Sequence, residues 1–229
     1  MNTFNEASVI DSSFDLSFNN IENIKLHPEY KPFIGANYQK VRVLFVGESH
    51  FIKFGNTMDY TSWYEKSTTV LFENSAYEER ENIGWFNTRG VIENFLKPDN
   101  NGKKAFGIYR EPAKIIMSLK SDCTSYPEAF SYMAFCNYFQ RPALIQSQTF
   151  NQIIEDENDI TRNIFDEIIE IIKPEMIVFL SRKAYFAYNK SPEGVIIKNY
   201  QHPACSWWNR KNCPEQLKMV LEPIFTKLS

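Results

Sequence analysis

The chain has 229 residues, a formal net charge of −3 and a hydrophobic fraction of 43%. Its 19 Phe and 12 Tyr residues exclude a disordered chain, because such side chains bury large apolar areas. The acidic balance excludes a protein that attracts nucleic acid through an overall basic field. We therefore expect a single domain over residues 1–229, monomeric, in which contacts to any anionic partner are confined to a local group of basic residues.

The cysteines and the N-terminal residues narrow the class of protein further. Cys123, Cys136, Cys205 and Cys213 form no C-x-x-C pair, so the sequence indicates neither a zinc ribbon nor an iron–sulfur site. We expect free thiols, no metal and no cofactor. Residues 1–20 are polar and acidic, unlike a signal peptide, and no stretch reaches membrane-spanning length. These features predict a cytoplasmic protein.

Residues 1–21 show no hydrophobic period, which predicts a loosely ordered arm over the domain surface.

Four apolar runs that follow this arm predict strands. Residues 40–47 (KVRVLFVG) are β-branched, apolar and end at a glycine, which is typical of a strand buried on both faces of a parallel sheet. The other three predicted strands are residues 132–139 (YMAFCNYF), 176–180 (MIVFL) and 194–200.

Helical segments alternate with these strands. Apolar residues at helical spacing lie in residues 63–72, 85–96, 159–172, 182–190 and 214–228. Residues 51–120 contain no convincing strand, and Ser181 suits the N-cap of the helix that follows it. The alternation predicts an α/β fold, a three-layer α/β/α sandwich with a central, mainly parallel four-stranded sheet.

Polar side chains follow three of the predicted strands. Glu48, Ser49 and His50 come directly after the first strand, Asn137 lies near the end of the second, and His202 follows the fourth. In open α/β sheets, ligands bind at the carboxyl ends of the strands. The sequence therefore predicts one functional site at this edge of the sheet.

Three segments resemble the uracil-DNA glycosylase superfamily. VLFVGESH is similar to its first motif, FCNYFQRPA to its base-recognition strand and NYQHPACSWW to its His-Pro loop, in the same order and with similar spacing. The resemblance covers residues 41–50 and 130–229 and leaves residues 51–122 largely unmatched. It departs from the family at Ser49-His50, where a proline is usual, and at Ser181, where a glycine is usual. The chain resembles a divergent member.

The resemblance implies a monofunctional DNA glycosylase, a hydrolase that cleaves the N-glycosidic bond of a flipped uracil or other altered base. Cleavage leaves positive charge on the sugar and negative charge on the departing base. Glu48 is the candidate for stabilising the sugar cation or orienting water, and His202 for donating a hydrogen bond to the base. Ser49 and His50 are further catalytic candidates.

Other residues are candidates for holding the base and the DNA. Asn137 offers a donor and an acceptor to the edge of a flipped pyrimidine, and Gly47 and Phe51 are grouped with it as base-binding candidates. Tyr60, Trp63 and Phe51 are candidates for the stacking platform. Candidate DNA contacts follow His202 and are Pro203, Ser206, Trp207, Trp208, Arg210 and Lys211.

Two other interpretations remain open. A base- or DNA-binding module of the same fold without catalysis fits the acidic charge and the altered first motif. VLFVGES also resembles the Gly-Asp-Ser opening of the SGNH esterases, in which Ser49 would be the nucleophile. No Asp lies shortly before His202, however, and a G-x-S-x-G elbow fails at Phe51. Glu48, Asn137 and His202 also have purely structural interpretations, as capping or buried hydrogen-bonding groups.

Overall fold

The computed structural model describes residues 9–51, 59–73, 82–143 and 150–228. The predicted three-layer α/β/α architecture is confirmed, with helices on both faces of one mainly parallel sheet. The strands are β1 (Phe33–Ile34), β2 (Val43–Gly47), β3 (Ala134–Asn137), β4 (Met176–Phe179) and β5 (Ile196–Asn199). Their order across the sheet is β1-β3-β2-β4-β5.

The sheet has five strands where four were predicted. The additional strand, β1, is two residues long and pairs antiparallel with β3, Phe33 lying opposite Phe135. Two residues are too few to produce the alternation by which a strand is recognised in a sequence. The other four strands are the predicted ones, shortened at their ends, and they pair in parallel.

Ten α-helices lie in the described residues. They are α1 (Asp15–Phe18), α2 (Glu22–Leu26), α3 (Thr68–Leu71), α4 (Thr88–Leu96), α5 (Gly107–Leu119), α6 (Tyr126–Ser131), α7 (Glu157–Ile172), α8 (Arg182–Tyr188), α9 (Trp207–Arg210) and α10 (Cys213–Phe225). Helices α4, α5, α6 and α10 cover one face of the sheet, and α1, α2, α7 and α8 cover the other.

The central strands are buried on both faces, as their unbroken apolar runs predict. Side chains of β2 point alternately to the two faces: Val43 and Phe45 belong to one hydrophobic cluster, Leu44 and Val46 to the other. The edge strand β5 is less covered, and its Ile196 is 51% exposed. The core therefore lies along β2, β3 and β4.

A third, aromatic cluster lies beside the sheet and consists of Tyr30, Tyr60, Trp63, Phe72 and Phe86. Most of it comes from the segment between β2 and β3. The described parts of that segment contain no strand, as predicted, although its helix α3 is shorter than the predicted residues 63–72. Phe51 forms an isolated parallel bridge with Ala143.

The predicted N-terminal arm is described from residue 9 to residue 21, and residues 1–8 lie outside the described residues. Ile10 forms a bridge with Gly35, and Phe18 and Ile21 are buried in the cluster of the second sheet face. Arg89 donates two hydrogen bonds, of 2.7 and 3.0 Å, to the carboxylate of Asp15. The arm is thus fixed to the domain over this range.

All four cysteines are free thiols, as predicted. No helix within the described residues combines the length and the apolar character needed to cross a membrane.

Candidate functional site

Strand register brings the predicted polar residues to one edge of the sheet. Gly47, the last residue of β2, pairs with Asn137, the last residue of β3. Glu48 directly follows β2, Ser181 lies two residues after β4, and His202 follows β5. Because these four strands are parallel, their carboxyl ends meet at one edge of the sheet, and these residues lie there.

The carboxylate of Glu48 is held by a hydrogen bond to each oxygen. The backbone N–H of Phe150 donates to Oε1 over 2.8 Å, and the hydroxyl of Ser181 donates to Oε2 over 2.6 Å. The backbone carbonyl of Glu48 also accepts from the N–H of Phe139 over 2.9 Å. Glu48 is half-buried and its orientation is therefore fixed by three chain segments.

The two donors to Glu48 are themselves fixed. Ser181 is the N-cap of α8, as predicted, and its Oγ accepts from the N–H of Ala184 over 3.3 Å. Phe150 stacks on Phe139 with ring centroids 4.0 Å apart, and its carbonyl accepts a hydrogen bond from the Lys183 ammonium. Neither partner of Glu48 was identified from the sequence, because each pairing joins residues more than one hundred positions apart.

His202 presents one ring nitrogen as a donor. Its Nδ1 accepts a hydrogen bond from the N–H of Ala204 over 3.1 Å, so in the neutral ring the proton is on Nε2. Burial lowers the pKa of His202 below its usual 6.5, and the nearby Glu48 carboxylate partly offsets that shift. At neutral pH the imidazole is therefore an uncharged hydrogen-bond donor through Nε2–H.

The Asn137 side chain lies over Gly47. Asn137 is 5% exposed, and its side-chain oxygen lies against Gly47. A Cβ built on Gly47 would come within 2.1 Å of Asn137 Oδ1, 3.1 Å of the Phe135 ring and 3.2 Å of Ile108 Cδ1. Only glycine at position 47 leaves this space to the amide, because any side chain there would collide with Asn137 Oδ1.

The start of α5 lies between Gly47 and the loop of His202. Ile108 approaches Gly47, and the Cβ position of the preceding Gly107 is 3.5 Å from Ala204, in the loop of His202. Both residues come from residues 51–122, which the family resemblance leaves unmatched. No feature of the sequence marked Ile108, since a single apolar residue in a helix is ordinarily core.

His50 faces the aromatic cluster. It is 6% exposed, its Nε2 lies 2.9 Å from Thr88 Oγ1, and its ring meets that of Tyr30 edge-on at 5.3 Å. Burial lowers its pKa to about 3, despite a hydrogen bond with the backbone of Trp85. His50 therefore anchors the end of the first motif as a neutral ring.

Ser49 is half-buried, and its hydroxyl makes no hydrogen bond within the described residues.

The segment after His202 exposes one of its two tryptophans. Trp207 is 51% exposed, whereas Trp208 is 1% exposed and packs in the core. The charged groups of Arg210 and Lys211 lie 5.4 and 5.7 Å from the centre of the Trp207 ring. Trp207, Arg210 and Lys211 together form an exposed basic aromatic patch.

The remaining candidates lie in different surroundings. Pro203 is buried, Ser206 is exposed, and Phe51 is half-buried. Tyr60 and Trp63, proposed as stacking platforms, are 8% and 0% exposed within the aromatic cluster. Trp63 stacks face to face on His27 rather than toward solvent, with ring centroids 4.1 Å apart.

Among the described residues, no group of three His, Cys, Asp or Glu side chains is arranged to hold a metal ion.

In comparisons with known proteins, no family model matches the chain, and no curated protein matches it at a significant level.

Proposed function

We propose that the protein is a monomeric, cytoplasmic DNA glycosylase that hydrolyses the N-glycosidic bond of a flipped uracil or other altered base. The observation that carries the proposal is the position of the Asn137 amide, which is 5% exposed and lies over Gly47 at the edge of the sheet where Glu48 and His202 also lie. A carboxylate, a neutral imidazole donor and this amide lie at one sheet edge, on segments that resemble the three motifs of the superfamily.

The base is recognised by the amide of Asn137. Its Oδ1 accepts from a ring N–H and its Nδ2 donates to the neighbouring carbonyl, the pattern found along one edge of uracil and related oxidised or deaminated bases. Gly47 allows the approach, because any larger residue would occupy the space of Oδ1. A base with an amine in place of that carbonyl would meet a second donor and bind poorly.

His202 acts on the departing base. As the glycosidic bond breaks, its electron pair goes to the base, and negative charge develops on the base carbonyl. The Nε2–H of His202 donates to that oxygen and needs no proton transfer, because its ring is neutral before the step. Because burial lowers the pKa of His202, the ring carries no charge before the step and acts by hydrogen bonding alone.

Glu48 acts on the sugar side. Its carboxylate stabilises the oxocarbenium-like sugar, and water then adds to the anomeric carbon. Each carboxylate oxygen uses one lone pair for Ser181 or Phe150, so each retains a lone pair that can accept a hydrogen bond from the attacking water. The proton released from water passes to this carboxylate or to solvent.

The basic aromatic patch of Trp207, Arg210 and Lys211 supplies the DNA contacts of the proposal. Cationic side chains contact phosphates, and an exposed indole stacks on bases or fills the gap that a flipped base leaves. The patch directly follows the loop of His202, so a strand bound there lies next to the site. A local patch of this kind also accounts for DNA binding by a chain of net charge −3.

The tautomer of His202 disfavours the esterase alternative. A serine hydrolase requires an unprotonated Nε2 to take the proton of the nucleophile, with Nδ1–H donating to a carboxylate. Here Nδ1 is the acceptor, so the neutral ring carries its proton on Nε2. His202 is therefore in the wrong tautomer to activate Ser49.

The proposal is tested with oligonucleotides that carry one altered base, such as uracil or hypoxanthine, in single strands and in duplexes. Alkali treatment converts an abasic site into a strand break, which is resolved on a gel. We expect cleavage for at least one base by the wild-type protein. If no base is cleaved and DNA binding is retained, the glycosylase proposal is wrong and the non-catalytic binding module is supported.

Variants show whether the activity belongs to this protein rather than to a contaminating enzyme, and whether a loss of activity is specific to the site residues. Glu48→Gln and His202→Ala should each lower kcat by about 100-fold or more while changing DNA affinity little, because both act on charge that develops in the transition state. Glu22→Gln removes an equal charge at an exposed position and is the matched control. Equal losses in all three variants would show that the site residues have no special role.

A further inference from the structure

Ser181 meets Glu48 because of strand register. Val46 of β2 pairs with Phe179 of β4, and the N–H of Leu180 donates to the carbonyl of Val46 over 2.8 Å. Two positions beyond this pair, Glu48 and Ser181 lie side by side at the edge of the sheet. Their side chains are joined by a hydrogen bond of 2.6 Å.

The hydroxyl of Ser181 has a defined direction. Ser181 is 3% exposed, and its Oγ accepts from the N–H of Ala184 in the first turn of α8. With that interaction in place, the hydroxyl proton is directed to the carboxylate of Glu48. Charge-assisted hydrogen bonds of this kind are shorter and stronger than neutral ones, in agreement with the 2.6 Å separation.

We propose that Ser181 is a positioning residue for Glu48, which fixes one carboxylate oxygen so that the charge faces His202 and the sugar of the substrate. The backbone N–H of Phe150 fixes the other oxygen. A carboxylate held at only one oxygen rotates about its terminal bonds, and a displacement of about 1 Å at a reacting group can cost about 100-fold in rate.

This role is distinct from helix capping, which Ser181 performs with the same oxygen. The kinetic effect of this role rests on the proposed glycosylase function, whereas its structural effect depends only on the contact with Glu48. Three variants distinguish the positioning role of Ser181 from its capping role. Ser181→Thr keeps the hydroxyl, and Ser181→Gly removes it at a cap position that tolerates glycine.

Ser125→Gly is the matched control. Ser125 caps α6 through a hydrogen bond from the N–H of Glu128, as Ser181 caps α8, and it forms no contact with Glu48. Its substitution removes a capping hydroxyl of the same kind elsewhere. A purely structural role of Ser181 predicts that Ser181→Gly and Ser125→Gly lower Tm and kcat alike.

A positioning role predicts a different pattern. In steady-state assays on the base that the wild type excises, Ser181→Gly should lower kcat about tenfold or more, the effect of losing one hydrogen bond to a charged group, with KM within about twofold. Ser181→Thr should retain at least about a third of wild-type kcat. Ser125→Gly should keep the wild-type kcat. A kcat of Ser181→Gly equal to that of Ser125→Gly overturns the inference.

A second measurement does not require activity. The pH titration of the His202 ring, followed by NMR, reports the charge of Glu48 beside it. We expect its midpoint to fall in Ser181→Gly and to remain at the wild-type value in Ser125→Gly. If no base is excised but the midpoint falls, the glycosylase function fails and the positioning role stands. An unchanged midpoint in Ser181→Gly overturns the positioning role by itself.

Discussion

The side-chain oxygen of Asn137 occupies the space that a side chain on Gly47 would need, 2.1 Å from the Cβ position. The backbones of the two residues are paired across neighbouring parallel strands, so they cannot move apart without disturbing the sheet. The glycine that ends β2 is therefore required for the amide to reach its place, and not only for a turn.

Gly47→Ala should displace the Asn137 amide while the fold remains. The added methyl group also approaches Phe135 and Ile108, so we expect a stability loss of about 1–3 kcal/mol from overpacking. Binding to DNA containing the target base should weaken about tenfold or more, as measured by fluorescence anisotropy. The double variant with Asn137→Ala should bind no worse than Asn137→Ala alone; additive losses would contradict this mechanism.

The titration of His202 should depend on Glu48. Burial lowers the pKa of His202, and the Glu48 carboxylate opposes that shift. Replacing Glu48 with Gln removes the opposing charge, so the midpoint should fall further below 6.5 when the ring resonances are followed by NMR. A midpoint that rises or does not change would show that the carboxylate does not act on this imidazole.

Acid should destabilise the protein through His27 and His50. Burial lowers the pKa of His27 to about 4 and that of His50 to about 3, against 6.5 in the unfolded chain. Below pH 6.5 the unfolded state binds these protons and the folded state does not, so stability falls as the pH falls. Between pH 7 and pH 5 each histidine should contribute a loss of about 2 kcal/mol.

Urea unfolding of His27→Gln and His50→Gln checks this pH dependence. Each variant should show a loss between pH 7 and pH 5 that is smaller than the wild-type loss by about 2 kcal/mol, whatever its stability at pH 7. A pH dependence equal to that of the wild type in both variants would assign the acid sensitivity to other groups.

The buried ion pair between Arg141 and Glu157 supports the segment that carries Phe150. Both side chains are fully buried, their closest atoms are 2.6 Å apart, and the guanidinium lies 4.4 Å from the centre of the Phe150 ring. Arg141→Met leaves a buried carboxylate unpaired and should cost about 3–5 kcal/mol in urea unfolding. The double variant with Glu157→Leu should be more stable than Arg141→Met; a still less stable double variant would contradict this account.

The adjacent residues Trp207 and Trp208 should respond oppositely to substitution. Trp208→Ala removes a side chain that is 1% exposed and should cost about 3–5 kcal/mol of stability. Trp207→Ala should leave Tm nearly unchanged and weaken DNA binding, since this ring is half exposed. Replacing Arg210 and Lys211 with Gln should reduce the slope of log K against log salt by about 2, if each contacts one phosphate.

The sequence indicated the strands and the residues at their ends because local patterns determine both. An apolar run that ends at Gly47, or one that contains Asn137 near its end, is visible without knowledge of its neighbours. β1 was missed because two residues show no period, and it forms only where Phe33 and Ile34 meet the edge of β3.

The partners of the site residues could not be predicted in this way. Ser181 was identified as a helix cap, but its contact with Glu48 depends on the register of β2 and β4, which a single sequence does not contain. The interaction of Phe150 with Glu48 uses a backbone N–H and therefore has no residue signature at all. His50 is adjacent to Ser49 in sequence, yet its ring is buried in an aromatic cluster that comes largely from the unmatched segment.

The loop of His202 also contains a thiol, that of Cys205, to which a fluorescent label can be attached. Cys205 donates its backbone N–H to the carbonyl of His202 over 2.9 Å, and its side chain is half-buried, whereas Cys123, Cys136 and Cys213 are buried. A small thiol-reactive fluorophore should therefore label Cys205 first in the folded, unmodified protein. Its emission would report on ligand binding beside this loop, without the introduction of a new residue.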